Sequence, residues 1–442
     1  MTYDIFSINP PQQPKPSRGT EIIKFLLSKA SANMRQPLLP MAFPALAAHM
    51  TGVEVQYSNG RFYEIGPGQL GLLLGASGIG KNQLSHLVSD AICRDFIEHD
   101  NLEYKRLAEW IKQVKTLGGN KAKPERPSIY LVFPPCDCTH PSIIQNFQSL
   151  EDHEGRTMYM NLPEIGLANK ICGGHRNVSE MIRQCYDVAR GGQMRATVEG
   201  ITGNPVQRLS MTLSSTPDEA RAFMKNDMRN GFFGRITCAY IPRGERIGRI
   251  PKQKPYDEEY LAKLDEYLAR LTNVKGRFIV KPLARIADQL AEEMAQLADM
   301  CDSDELFELS HRSIFSSWKK AAVLYFLNNQ TYTRSIADYM IYFCYYDLWS
   351  KCQVFGDMFN KVSDTQQEEV LRRGPKNLLQ ELPNPFSELQ LEGLRVNMGK
   401  SKEGTRHQIS VWSNRGLIEQ SAQTGLFSKT NKFFGIKVKK NG

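Results

Sequence analysis

Long uninterrupted apolar runs are missing from this 442-residue chain. Runs such as 72–74 and 321–327 fall far short of the roughly 18 residues that a bilayer span needs, so no membrane-spanning helix is expected. An apolar leader is missing too: the first 19 residues carry Pro10, Pro11, Pro14 and Pro16 and nothing like the core of a secretory signal, which points to a cytoplasmic location. Cysteine is sparse, with nine scattered from Cys93 to Cys352. An odd number without regular spacing fits reduced thiols in an intracellular protein, and structural disulfides are not expected. Cys136, Cys138 and His140 lack the second pair that would complete a tetrahedral metal site and read as ordinary loop residues. Glycine and proline are not enriched enough for a collagen-like or wholly disordered chain.

What is present is a globular composition, 41% hydrophobic and 10% aromatic, with 56 Lys+Arg against 47 Asp+Glu and a net charge of +9. At roughly 100–200 residues per domain, the length predicts two to four domains. The charge is uneven. From Arg395 onward there are ten basic residues and two acidic ones, so nearly all of the excess sits in the last tenth of the chain. That pattern fits either a local polyanion-binding surface or a solvated, lysine-rich terminus.

Residues 1–60 read as a proline-rich arm followed by helical patterns at 20–32 and 40–50 and the first of several short strands. In 61–250, continuous apolar runs at 70–74, 129–133, 158–162, 209–213 and 236–241 alternate with helical patterns. Strands apolar on both faces and separated by helices predict an α/β core with a mostly parallel sheet. After the fourth run, Thr216-Pro217-Asp218-Glu219 has the spacing of a capping box. The section 251–365 reads as an α-helical bundle. In 366–442 the order is helix to Leu382, helix 387–398, helix 405–415, then strand-like runs at 417–420 and 432–438, which is the order of a winged helix. Its third helix and flanks carry groups able to contact phosphates or base edges, and Lys402, Arg406, Gln408, Asn414, Arg415, Lys429 and Lys432 are the candidate DNA contacts.

One motif carries chemistry. Gly75-Ala76-Ser77-Gly78-Ile79-Gly80-Lys81-Asn82 fits the phosphate-binding G-x-x-x-x-G-K pattern except at its last position. It lies between a buried-strand run and a helix face formed by Leu84, Leu87, Val88 and Ile92. Strand, glycine loop and helix N-terminus in that order cradle an anion, because free N–H groups and the helix dipole point at it. These eight residues are the candidate nucleotide site, with Lys81 reaching the β and γ phosphates of ATP. Asn82 stands where a hydroxyl normally ligates Mg²⁺, and its amide oxygen is the candidate metal contact. Glu164, at the end of the run 158–162, is the candidate water-activating carboxylate, and Pro163 occupies the place where an Asp usually precedes it. Asn161, in the same run, is a further candidate for an adapted magnesium site. Ser214, Ser215 and Thr216 end another run. They read either as sensors of the γ-phosphate, Ser215 foremost, or as capping hydroxyls. Arg235 reads as an arginine finger offered to a neighbouring subunit, or as a salt bridge at a strand start, and Arg312 as a lid arginine or a surface pair.

Taken together, Gly75 to Asn82, Tyr159 to Gly166, Gly191-Gly192-Gln193-Met194-Arg195 with Val198 to Gly203, Leu209 to Pro217 and Gly231 to Pro242 resemble a P-loop family of phages, plasmids and integrative mobile elements. Its members look like RecA/AAA+-type replicative helicases and often stand beside primases. The version with Gly-Gly-Gln-Met-Arg is similar to proteins of Bacteroidetes mobile elements. The likeness spans about residues 60–350. It implies ATP- and Mg²⁺-dependent work on DNA by a homo-oligomeric ring or filament, alongside other mobile-element proteins. On this resemblance the Walker A lysine falls on Lys81, the Walker B glutamate on Glu164 and the arginine turn on Arg235, with departures at Asn82 and Pro163. Those departures leave a second expectation, a nucleotide-gated DNA-binding adaptor without turnover.

Overall fold

A computed structural model describes residues 3–117, 124–172, 178–194, 201–225, 231–242, 252–359 and 377–438. Parts of the resemblance (195–200), of the expected helix before Leu382 and of the basic tail (439–442) lie outside them. The chain forms two compact units. One comprises Lys15–Ala284 with Trp318–Ala337, and the other Met1–Pro14, Arg285–Ser317 and Asp338–Gly442.

The larger unit is built on a four-stranded, all-parallel sheet in the order Met158–Leu162, Leu209–Ser215, Leu70–Leu74, Thr237–Tyr240. Every residue of Leu70–Leu74 and Leu209–Ser215 is buried, as expected of central parallel strands covered on both faces. The helix Ala32–Ala48 contacts all four strands. It is buried almost all round and runs unbroken through Pro37, Pro40 and Pro44. Each of these prolines deletes a backbone donor, at a cost near 3 kcal/mol in an ordinary helix interior. Burial of thirteen of the seventeen side chains against the sheet offsets that cost, so the helix begins eight residues earlier than the expected 40–50.

One expected strand is absent from the sheet. The run 129–133 lies beside Met158–Leu162, with its Val132 carbonyl accepting the Tyr159 N–H at 2.8 Å, but side chains take the N–H groups of Leu131, Val132 and Phe133 and the Leu131 carbonyl. The Asp100 carboxylate accepts the Val132 and Phe133 N–H groups at 2.9 and 2.8 Å, and the Asn146 amide pairs with both the N–H and the carbonyl of Leu131 at 2.8 Å. Satisfied in this way, the segment needs no ladder.

In the second unit the aromatic stretch of the helix Arg334–Phe355 forms the core, with Tyr342, Tyr345, Tyr346 and Trp349 all buried. The proline-rich start of the chain packs here. Ser7 accepts the Trp349 indole N–H at 2.9 Å, and the Pro14 carbonyl accepts the Tyr339 hydroxyl at 2.6 Å. A separate cluster around Trp412, Phe386, Leu391 and Phe427 joins the C-terminal segments to Met300 at the end of the helix Lys281–Cys301.

The C-terminal order is the helices Leu378–Glu381, Glu388–Asn397 and Thr405–Asn414, then the antiparallel hairpin Ile418–Gln420 with Phe427–Lys429. The second strand therefore falls earlier than the expected 432–438, which is helical as Asn431–Val438. Phe427 exchanges both backbone hydrogen bonds with Phe386 and fills the cluster, so the pairing edge is already used. Phe433 packs on the same cluster from the following helix.

Candidate functional site

Parallel pairing brings the predicted polar residues to one edge of the sheet. Leu74 is in register with Ser215 and Leu162 with Leu213, so Glu164, two residues further on, comes level with Ser215 and with the start of the glycine loop. The carboxyl edge of a parallel sheet is where loops leave room for ligands. A cleft of about 620 Å³ opens there, lined by Ser77, Lys81, Asn82, Glu164, Ser215 and Glu219 among others.

The loop itself is braced on three sides. The Gly75 N–H donates to the Ser215 carbonyl at 3.1 Å. The Asn33 amide donates to the Ile79 carbonyl at 3.2 Å, and the buried Gln83 exchanges hydrogen bonds with the Ser31 backbone N–H and hydroxyl at 3.0 and 2.8 Å. Gly78 and Gly80 have φ of 75° and 103°, a region that side-chain-bearing residues rarely adopt. After the loop, the helix Asn82–Leu87 passes into a π-helical turn, Val88–Ile92, closed by the Cys93 N–H on the Val88 carbonyl at 2.8 Å. Leu84, Leu87, Val88 and Ile92 are all buried, as their spacing predicts.

Lys81 is half-buried and folds over its own loop, donating to the Gly75 and Ala76 carbonyls at 2.7 and 2.9 Å. Burial lowers its pKa below the ordinary lysine value, and the nearby Glu219 carboxylate opposes that shift. Asn82 is exposed at the cleft. Asn161 faces the neighbouring strand, its side-chain oxygen accepting the Thr212 hydroxyl at 3.1 Å. Ser215 is buried and donates to Glu219 Oε2 at 3.1 Å, while Thr216 caps the helix Pro217–Met224 by accepting the Glu219 N–H. Glu219 is a cleft residue that its capping-box spacing concealed. Gln253, whose amide donates to the Tyr256 hydroxyl at 3.2 Å, is another that no motif marks.

Two arginines are placed differently. Arg235 follows the left-handed Gly231 and is tied within its own chain, donating to the Gly231 carbonyl at 2.9 Å and to Asp187 at 2.8 Å, with its guanidinium 5.6 Å from the Tyr186 ring centre. The salt bridge at a strand start is therefore the arrangement seen. Arg312 belongs to the other unit. The Cys136 thiol donates to the Asn161 carbonyl at 3.8 Å, and Cys138 donates to the Cys136 carbonyl at 3.6 Å.

As magnesium donors, the cleft offers the Asn82 amide, the Glu164 and Glu219 carboxylates and the Ser215 hydroxyl, all oxygen groups of the kind this hard cation prefers. Among the described residues no cluster of three or more His, Cys, Asp or Glu side chains could hold a metal ion by itself. A cation here would share its coordination with phosphate oxygens.

The expected DNA face is split. The third helix turns Gln408 and Trp412 inward, and both donate to the Asp299 carbonyl at 2.6 and 2.9 Å. Gln408 is therefore buried and spent on its own fold, which corrects its expected role as a base reader. Arg415 pairs with the Asp299 carboxylate. Lys429 and Lys432 donate to the Leu382 and Arg415 carbonyls at 2.5 and 2.9 Å. The outward face keeps Arg406, His407, Ser410, Ser413 and Asn414, with Lys402 exposed just before the helix. The basic excess is also partly offset. Arg395 and Lys400 pair with Asp302, and Arg406 with Glu388, both acids that precede the basic segment beginning at Arg395.

No protein-family model matches the chain, and no curated protein is significantly similar to it. Among the described residues no helix is long and apolar enough to cross a membrane.

Proposed function

We propose that this chain is a P-loop ATPase of the RecA/AAA+ kind that acts on DNA in the replication or transfer of a mobile element. The observation that carries the reading is the meeting of Lys81, its glycine loop, Glu164 and Ser215 around one cleft at the carboxyl edge of a parallel sheet. Each arises from a different strand, and each has a part in phosphoryl transfer: cradling phosphate, activating water and sensing the terminal group. Nucleotide held between subunits of a ring or filament belongs to the same proposal. Arg235 would have to leave Asp187 to reach a neighbour's site.

Calorimetric titration of the full chain with ATP and Mg²⁺, followed by phosphate release with and without duplex and single-stranded DNA, tests the reading. Saturable binding and DNA-stimulated turnover are expected. No ATP binding would remove the nucleotide reading. Binding without turnover across several divalent metals would select the nucleotide-gated adaptor, which Asn82 and Pro163 favour.

For DNA, the outward face of the third helix supports contact through Lys402, Arg406 and Asn414. The double substitution Lys402→Ala with Arg406→Ala is expected to lower the salt dependence of duplex binding by about one to two units of log–log slope. Gln408→Ala should leave that slope alone and instead lower the unfolding midpoint, since it removes an internal tie to Asp299. Anisotropy titrations across a salt series measure the first effect, and an unchanged slope takes this helix out of the interface.

A further inference from the structure

The place before Glu164 that would hold a second acidic group carries Pro163, yet the fold brings another carboxylate into the cleft from the helix that follows a different strand. Glu219 stands third in the helix Pro217–Met224, where a glutamate commonly folds back onto the cap residue's own N–H. Here its backbone is used by Thr216 at 3.4 Å, while its carboxylate accepts the Ser215 hydroxyl at 3.1 Å and lines the cleft with Lys81, Asn82 and Glu164. Its other oxygen comes within 3.5 Å of where a Cβ on Gly166 would stand, so the side chain spans from the serine strand toward the loop that carries Glu164.

A polyphosphate entering this cleft meets two carboxylates and one lysine. Like charges oppose entry unless a cation lies between them, and Mg²⁺ is typically held through one or two carboxylates together with phosphate oxygens. We infer that Glu219, oriented by Ser215, is the carboxylate through which the cleft takes up Mg²⁺ with its nucleotide, filling the role that Pro163 leaves open. The inference rests on the nucleotide reading above, and it makes Ser215 a positioning residue for Glu219.

Calorimetric titration of ATP into the full chain and into Glu219→Gln, in EDTA and in millimolar Mg²⁺, tests it. In EDTA the variant binds at least as tightly as the wild type, because a charge facing the phosphates is gone. With Mg²⁺ the wild type gains about tenfold or more in affinity and the variant no more than about threefold. Immobilisation of Mn²⁺ in the ATP complex, followed by paramagnetic resonance, is reduced in parallel. Ser215→Ala, which leaves the carboxylate in place without its donor, shows a smaller cation gain than the wild type and carries the test if Glu219→Gln fails to fold. A wild-type cation gain in both variants overturns the inference while the nucleotide reading stands. Absence of ATP binding by the wild type in either buffer overturns both.

Discussion

Lys81→Ala is expected to raise the ATP dissociation constant by about 100-fold or more, equivalent to about 2.7 kcal/mol, while barely changing the unfolding midpoint. The two effects separate because Lys81 has different partners in each setting. Without ligand, its ammonium donates, among the described residues, to the Gly75 and Ala76 carbonyls of its own loop, at a half-exposed position where water can replace it. Losing such a bond costs about 1 kcal/mol. With nucleotide, the same ammonium would make charge-assisted bonds to phosphate in a cleft that already lowers its pKa by burial, so the phosphate charge meets a cation held short of water. Lys81→Arg should not rescue binding, because a planar guanidinium cannot replace a compact ammonium under a loop fixed by Gly78 and Gly80. Calorimetry with ATP and a thermal melt of each variant check both halves. Unchanged affinity in Lys81→Ala would move the phosphate site away from this loop.

The glycine loop was legible in the sequence because its whole chemistry is local: strand, turn and helix start follow one another within about a dozen residues. Glu164 and Ser215 were legible because each ends a continuous apolar run, and parallel strands deliver such ends to the same edge. Glu219 was hidden because the spacing of a capping box is one-dimensional. Whether the glutamate folds back to the cap or turns to Ser215 depends on what lies beside the strand. The run 129–133 reads as a strand because it is apolar, but Asp100 and Asn146, on the helices before and after it, take backbone groups of Leu131, Val132 and Phe133. Three prolines hid the start of the helix Ala32–Ala48, since local propensity argues against a helix that burial on all sides sustains. The charge of the tail is plain in the sequence, but its partial offset by Asp299, Asp302 and Glu388 is a tertiary fact. The same is true of the direction of Gln408, which helical periodicity places on a face without saying what that face meets.

Asp347→Ala is expected to destabilise the smaller unit by about 3–5 kcal/mol, the largest stability effect foreseen here. An i, i+4 ion pair on an exposed helix face is worth about 0.3–0.5 kcal/mol. The structure buries both side chains to 1% exposure, with Lys351 Nζ 2.9 Å from Asp347 Oδ2. Ser313 from the helix Asp304–Leu327 donates to the same oxygen at 2.6 Å, so one carboxylate serves two helices. Removing it takes the countercharge from a buried ammonium and the acceptor from a buried hydroxyl, and neither can reach water without opening the helix pair. Replacing both charges together, Asp347→Leu with Lys351→Met, should recover most of the loss, because an apolar pair of similar volume avoids the desolvation that the ion pair carries. Urea unfolding followed by the fluorescence of the chain's four tryptophans, among them buried Trp349, measures the single and double variants, and the stability regained in the double gives the cost of leaving the ammonium unpaired. If the double variant is as unstable as Asp347→Ala, the unpaired ammonium is not the source of the loss and the buried-charge account fails.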